Sequence, residues 1–130
     1  MSQKVSVGDT RSHQYRVTSK DFASFATGTV HQVCSTFALA REMEWSSRLF
    51  VLDIKSEAEE GVGTMLEIAH KSPAFEGELL ELTACLISLD KNELICEIEV
   101  RVGERLIATG KTGQKILNKE RVRQIFTRLD

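Results

Sequence analysis

The chain has 130 residues, of which 42% are hydrophobic, and its formal net charge is −2. The 17 basic and 19 acidic residues are mixed along the sequence, so the composition excludes the basic surface of a nucleic-acid-binding protein. No run approaches the ~20 apolar residues that cross a bilayer, and the N-terminus "MSQKVSVGDTRSHQYRV" lacks an apolar signal core. We therefore expect a cytoplasmic protein with no membrane partner, folded as one domain over residues 1–130.

The first segment, "HQYRVTSKDFASFATG", alternates around Tyr15 and Val17. Thr18, Ser19 and Asp21 follow and predict a turn or a short helical piece.

The next pattern, "STFALAREMEWSSRLFVLDIK", begins at Ser35 and contains no glycine or proline. A serine or threonine is available as N-cap, so the stretch predicts the main helix. Apolar residues lie on nearly all sides at 100° per residue, which predicts a helix that is mostly covered. One face holds Thr36, Leu39, Ala40, Met43, Ser47, Phe50 and Val51, and the other holds Trp45, Leu49 and Leu52.

After the charged loop "SEAEEG", four strands are predicted at about 62–70, 78–90, 93–102 and 105–117. Their short connections favour antiparallel neighbours. The last stretch, "NKERVRQIFTRLD", has Asn118 as a plausible N-cap and predicts a short helix.

This order predicts an α+β fold in which an antiparallel sheet curls around one long helix. Such a sheet leaves an edge strand exposed, and pairing two sheets edge to edge in a homodimer is one way to cover it.

The three cysteines, Cys34, Cys85 and Cys96, are widely spaced and have apolar neighbours, so they are interpreted as buried free thiols. The histidines form no i, i+4 pair and lie in no acidic cluster, so we expect neither a metal site nor a cofactor.

Glu44, in "REMEW", lies at the border of the predicted buried face, whereas Glu42 points away from it. If the helix is covered, Glu44 is partly desolvated and its pKa rises toward the range of a general base. The alternative is an ordinary ion pair with Arg41 or Arg48, which the spacing alone favours.

His70 ends a predicted strand just before Pro73, the only proline. A histidine there is either solvated or placed to transfer protons. Gly63 predicts a loop-to-strand junction where the backbone comes close to another group. Gly110 and Gly113 lie in "ATGKTGQK", which lacks the spacing of a phosphate loop, so they predict bulges within a strand.

Two motifs together resemble a known family. "VHQVCSTFALAREMEW" has a valine-rich lead-in, a threonine and "ME" eight residues on; "GVGTMLEIAHKSPAFEGELLELTA" has a "GT" step, a histidine seven residues after the glycine, and a proline-containing turn. Both are similar to hot-dog-fold acyl-CoA thioesterases of the fluoroacetyl-CoA thioesterase-like family, from about Val30 to Leu117.

The resemblance implies a hot-dog fold, with an antiparallel sheet around a central helix, and an acyl-CoA substrate. It implies that Thr36, Glu44 and His70 are catalytic and that Gly63 lies near the thioester carbonyl. Two departures stand out: Gln32 replaces a common proline, and Gln114 stands where the fluoroacetyl-CoA enzyme has an arginine. Selectivity for that substrate is therefore not implied.

The implied reaction is hydrolysis of an acyl-CoA in a homodimer, with water, Thr36 or Glu44 as the attacking group. A non-catalytic acyl-CoA or acyl-carrier binding protein and a hot-dog dehydratase remain alternatives. Thr36 and Glu44 are separated by roughly 12 Å along a helix, at 1.5 Å per residue, so they cannot simply hydrogen-bond to each other. A site composed from two subunits, or a helix that begins just after Thr36, would ease this difficulty.

Overall fold

The computed structural model describes residues 1 and 4–127. Seven strands, two α-helices and a short 3-10 helix, Ser19–Asp21, follow one another along the chain. Their bounds are β1 Thr10–Arg16, β2 Phe22–Phe25, β3 Gly28–Cys34, α1 Thr36–Ile54, β4 Glu59–His70, β5 Leu79–Asp90, β6 Glu93–Val102, β7 Arg105–Asn118 and α2 Lys119–Thr127.

The long helix α1 begins where the sequence predicts it. Ser35 is the N-cap, and its Oγ accepts a hydrogen bond from the Ala38 N–H at 2.9 Å. This bond satisfies one of the free N–H groups of the first turn, which places Thr36 at the first helical position. The short C-terminal helix is confirmed over Lys119–Thr127, and Asn118 Oδ1 accepts from the Glu120 N–H at 2.9 Å. The last three residues of the predicted stretch, 128–130, lie outside the described residues.

Five strands form one antiparallel sheet in the order β1-β5-β6-β7-β4. The predicted antiparallel sheet and its four long strands are thus confirmed, although β4 begins earlier than expected and includes part of "SEAEEG". β1 and β4 are the two edges.

A separate hairpin of β2 and β3 precedes α1 and was not predicted. The pairing of the hairpin is irregular, and most of its residues are exposed, so the alternation of apolar and polar residues that marks a half-buried strand is missing.

The core lies between α1 and the inner face of the sheet. Met43 and Phe50 are fully buried there, together with Leu82 and Val100 from the strands. Helix and sheet lie close together at Gly110, where an added Cβ would lie 2.6 Å from Met43 Cε. Only a glycine allows this approach.

The expectation that α1 is mostly covered holds for its inner face but fails on its outer face. Trp45 and Leu52 are each 43% exposed, and Phe37 in the first turn is 80% exposed. The sheet of one chain wraps only part of the helix, so the apolar residues outside that part face solvent. Within the described residues, no helix has the length and apolarity needed to span a membrane.

Two predictions about glycines also need correction. Gly63 lies inside β4 and not at a loop-to-strand junction. The register of β4 shifts between Gly63 and Met65, opposite Gly113, so the bulge is on β4, whereas Gly110 and Gly113 pair in continuous register with β6. The sequence indicated the irregularity but placed it on the wrong strand.

Candidate active site

The first residue of α1 meets the last residue of β4. Thr36 Oγ1 and His70 Nδ1 are hydrogen-bonded at 2.9 Å, and both residues are exposed. The sequence separates them by 34 positions, but α1 runs antiparallel to β4, which brings the two ends together. The structure therefore pairs two of the residues that the resemblance singled out.

The other two predicted residues, Glu44 and Gly63, lie side by side further along the same helix and strand. A Cβ added to Gly63 would lie 3.5 Å from Glu44 Oε2. Beneath them, Gln114 Nε2 donates to Ser47 Oγ at 2.9 Å and, more weakly, to the Glu44 carbonyl oxygen at 3.4 Å. The backbone of β4 thus passes the carboxylate closely, beside a neutral amide.

The two pairs are well separated within one chain. Thr36 and Glu44 are eight residues apart on α1, roughly 12 Å at 1.5 Å per residue. Gly63 and His70 are seven residues apart on β4, roughly 23 Å at about 3.3 Å per residue. One chain therefore presents two half-sites, Thr36 with His70 and Glu44 with Gly63, instead of a single cluster.

The surroundings of Glu44 differ from both predictions made for it, desolvation and an ion pair with a neighbouring arginine. Its side chain is exposed in the chain, so the expected desolvation is wrong for the protomer. The ion pair with Arg41 or Arg48 is wrong as well, because Arg48 pairs with Glu60 at 2.7 Å and Arg41 pairs with Glu42 at 2.7 Å. These other carboxylates occupy the nearby arginines.

Glu42, expected to point away from the buried face, is only 8% exposed. Strand β1 crosses this side of the helix, and His13 Nε2 lies 2.8 Å from Glu42 Oε1. Arg41 binds Glu42 and also Asp21 at 3.0 Å, and Tyr15 donates to Asp21 at 2.9 Å. No local pattern predicts this network, because its members come from three separate segments of the chain.

Asp21 is nearly fully buried at the centre of the network. Burial alone would raise the pKa of this carboxyl group, but hydrogen bonds from the Thr18 N–H, Arg41 and Tyr15 hold the pKa below its usual value. The hydrogen bonds to Glu42 and Asp21 in turn raise the pKa of Arg41. The network is therefore charged and well partnered.

A groove of about 520 Å³ runs beside the Glu44 half-site. It is lined by His13, Glu44, Trp45, Arg48, Gly63 and Gln114, among others. A larger concavity of about 690 Å³ lies on the outer face of the sheet around Glu97 and Lys111. The larger concavity includes none of the four predicted site residues, whereas the smaller groove includes Glu44 and Gly63.

The cysteines are free thiols, as predicted. Cys34 and Cys96 are each 1% exposed, but Cys85 is only half-buried. Burial raises the pKa of Cys34 to about 11 and that of Cys96 to about 12. Neither buried thiol is a nucleophile at neutral pH.

The fold of the chain is that of solved hot-dog proteins. It matches a Thermus thermophilus hypothetical protein described as a thioesterase superfamily member, with a TM-score of 0.94 and 28% identity over 98% of this chain and 95% of that one. A mutant of the fluoroacetyl-CoA-specific thioesterase FlK matches with a TM-score of 0.90 and 18% identity over 99% of this chain and 100% of that one. A hot-dog-like protein from Thermanaerovibrio acidaminovorans matches with a TM-score of 0.85 and 17% identity over 95% and 93%.

These likenesses confirm the hot-dog fold, and with the sequence match they define the protein as a thioester hydrolase. Residues 17–120 match the family model of the fluoroacetyl-CoA-specific thioesterase, and the chain belongs to that family. A search of curated protein sequences gave no match.

Proposed function

We propose that the protein hydrolyses an acyl-CoA to a free acid and CoA, with Thr36, Glu44 and His70 as catalytic groups. The observation that carries the proposal is the 2.9 Å hydrogen bond between Thr36 Oγ1 and His70 Nδ1, which holds the imidazole at the open end of β4. Structures of FlK contain CoA with fluoroacetate, or acetyl-CoA. These complexes support acyl-CoA as the class of substrate.

The direction of the hydrogen bond between Thr36 and His70 depends on the tautomer of His70. If the hydroxyl donates to Nδ1, the neutral imidazole carries its proton on Nε2. Nε2–H then donates a hydrogen bond to the sulfur of CoA as the carbon–sulfur bond breaks, and the thiolate that leaves takes up a proton from solvent.

Glu44 is the base in this scheme. Its carboxylate takes a proton from water as the water oxygen bonds to the thioester carbonyl, and a backbone N–H near Gly63 donates to the resulting oxyanion. The closeness of Glu44 Oε2 to the Gly63 backbone supports these paired roles. An acyl group trapped on Thr36 or Glu44 and located by mass spectrometry would assign the attack to that side chain instead.

The two half-sites require a second copy of the chain. Strand β4 is an edge of the sheet, and antiparallel pairing of two β4 strands about a two-fold axis would bring His70 of one protomer toward Gly63 of the partner subunit. Thr36 and His70 of one subunit would then act with Glu44 of the other. The separation of about 12 Å within one helix supports this composite arrangement.

Selectivity for fluoroacetyl-CoA is not part of the proposal. Gln114 stands where the fluoroacetyl-CoA enzyme has an arginine, and its amide is bound to Ser47 Oγ. The groove therefore presents a neutral group at this position.

The test is a screen of acyl-CoA thioesters with detection of the released thiol. Wild-type protein is expected to release CoA from at least one thioester, and Glu44→Ala to lose about 10²-fold or more in kcat/KM. Glu81→Ala, an exposed carboxylate on β5, is the matched control. Tight binding of thioesters without thiol release would contradict hydrolysis and favour the binding-protein alternative.

A further inference from the structure

Trp45 is the only tryptophan in the chain, and it follows Glu44 directly. It lines the same groove as Glu44, Gly63 and Gln114, and it is 43% exposed. A large aromatic surface is thus left open to solvent within reach of the proposed reaction centre. Burial of such a surface by a ligand is favourable.

The position of Trp45 is held from one side. The His13 ring contacts it edge to face, with centroids 6.4 Å apart and planes at 70°. His13 is itself fixed by Glu42 at 2.8 Å, and that carboxylate is buried. The open face of the indole is therefore presented by a fixed support, which lowers the entropy lost when a ligand packs on it.

The charges of the groove argue against a phosphate group as the ligand. Arg41 is bound to Asp21 and Glu42, and Arg48 is bound to Glu60. Gln114 is neutral. An apolar group gains from Trp45 without competing for these ion pairs, whereas a phosphate would have to displace a carboxylate.

We propose that Trp45 forms a wall of the acyl-binding groove and selects an uncharged, apolar acyl group larger than acetyl, either an alkyl chain of several carbons or an aromatic ring. This inference rests on the proposed hydrolysis of acyl-CoA and specifies its substrate. The groove, about 520 Å³ in a single chain, has room for such a group beside Trp45.

The test uses thioethers of CoA, which lack the carbonyl and cannot be hydrolysed. S-methyl-CoA, S-hexyl-CoA and S-benzyl-CoA are titrated into the wild-type protein while Trp45 emission and the heat of binding are followed. We expect the hexyl and benzyl compounds to bind at least about tenfold more tightly than S-methyl-CoA, since each buried methylene contributes about fourfold. Their binding should change Trp45 emission, and CoA alone should not.

Two variants distinguish a direct contact between Trp45 and the ligand from a general effect of substitutions on α1. Trp45→Ala is expected to lose the preference for the larger groups while binding S-methyl-CoA within about twofold of wild type. Leu52→Ala is the matched control, because Leu52 is also 43% exposed on α1 but does not line the groove. It should keep the preference.

Three outcomes would overturn the inference: equal affinity for all three thioethers, tight binding of the larger ones without a change in Trp45 emission, or emission that follows protein concentration instead of ligand. The last outcome would show that a second copy of the chain covers Trp45. If acyl-CoA thioesters are hydrolysed while any of these holds, only the inference fails. If no thioester is hydrolysed, the proposed function fails first.

Discussion

His70 and Glu44 are held in different ways. His70 has a defined side-chain partner, the Thr36 hydroxyl, whereas the Glu44 carboxylate lies beside the backbone at Gly63. Sequence reasoning selected both residues through their resemblance to the family, because neither a strand-end histidine nor a helical glutamate is unusual by itself. The arrangement supports joint action on one substrate, which is testable.

Replacement of His70 by alanine is expected to lower kcat/KM by about 10²- to 10⁴-fold, because a positioned acid or base is lost. The melting temperature should change little, since the side chain is exposed. His31→Ala, an exposed histidine on β3, is the matched control.

The double variant His70→Ala/Glu44→Ala should lose less activity than the product of the two single losses, because both groups serve one reaction. Fully multiplicative losses would show that the two side chains act in independent steps. Near-normal turnover of a well-folded His70→Ala protein would remove His70 from the mechanism.

The buried thiols give a pH-dependent stability. Their pKa values in the folded chain, about 11 for Cys34 and about 12 for Cys96, exceed the ordinary thiol value of 9.0. The folded state therefore retains protons that the unfolded state releases, and the thiols' contribution to the free energy of unfolding is complete below pH 9 and is lost as the pH rises toward 11 to 12.

Thermal melts from pH 8 to 10.5 should thus show a steeper fall for wild type than for Cys34→Ala/Cys96→Ala. The variant should be less stable at pH 8, because cavities form in the core, yet its turnover per folded molecule should match that of the wild type. Melting temperatures that fall equally with pH in the two proteins would contradict the raised pKa values of the buried thiols. Lost turnover in a folded variant would contradict a purely structural role.

At the scale of elements, the packing of α1 against strands β4 and β7 determines where the candidate site residues lie. α1 packs on the sheet through its buried face, and its opposite residues stay exposed. A Cβ added to Gly110 of β7 would meet both the backbone of β4, at Glu67, and a side chain of α1, Met43.

Gly110→Ala is expected to destabilise the fold by about 1–3 kcal/mol, as overpacking of a core commonly does. The added Cβ would lie 2.2 Å from the Glu67 carbonyl oxygen and 2.6 Å from Met43 Cε, so a strand or the helix must move. Urea denaturation measures the loss, with Thr109→Ala on the outer face as control. An unchanged midpoint of urea denaturation would mean that β4 moves to accommodate the added Cβ without loss of stability.

At the scale of the whole molecule, the exposed edge β4 and the two separate half-sites point to the same proposal, a homodimer with composite sites. Light scattering at micromolar concentration is expected to give twice the chain mass, and a monomer would refute the proposal. A sharper test asks whether the half-sites of two chains cooperate.

Mixed dimers of His70→Ala and Glu44→Ala chains provide that test. Each mixed dimer would hold one site with an intact His70 and an intact Glu44, and one site with neither. Random assembly by co-refolding should therefore restore about a quarter of the wild-type activity, although each variant alone is inactive. A site built within one chain predicts no recovery, and absence of activity in mixed dimers isolated by two affinity tags would reject the composite site.

The sequence by itself determined the helix, the four long strands and the family. A cap at Ser35 with no glycine or proline after it fixes α1, and alternation in "ELICEIEVRV" fixes β6, because these signals depend only on neighbouring residues. The tertiary structure alone decided which groups meet. It joined Thr36 to His70, placed Glu44 beside Gly63, buried Glu42 under β1 and left Trp45 exposed, since these contacts depend on how far the sheet curls around the helix and not on any local pattern.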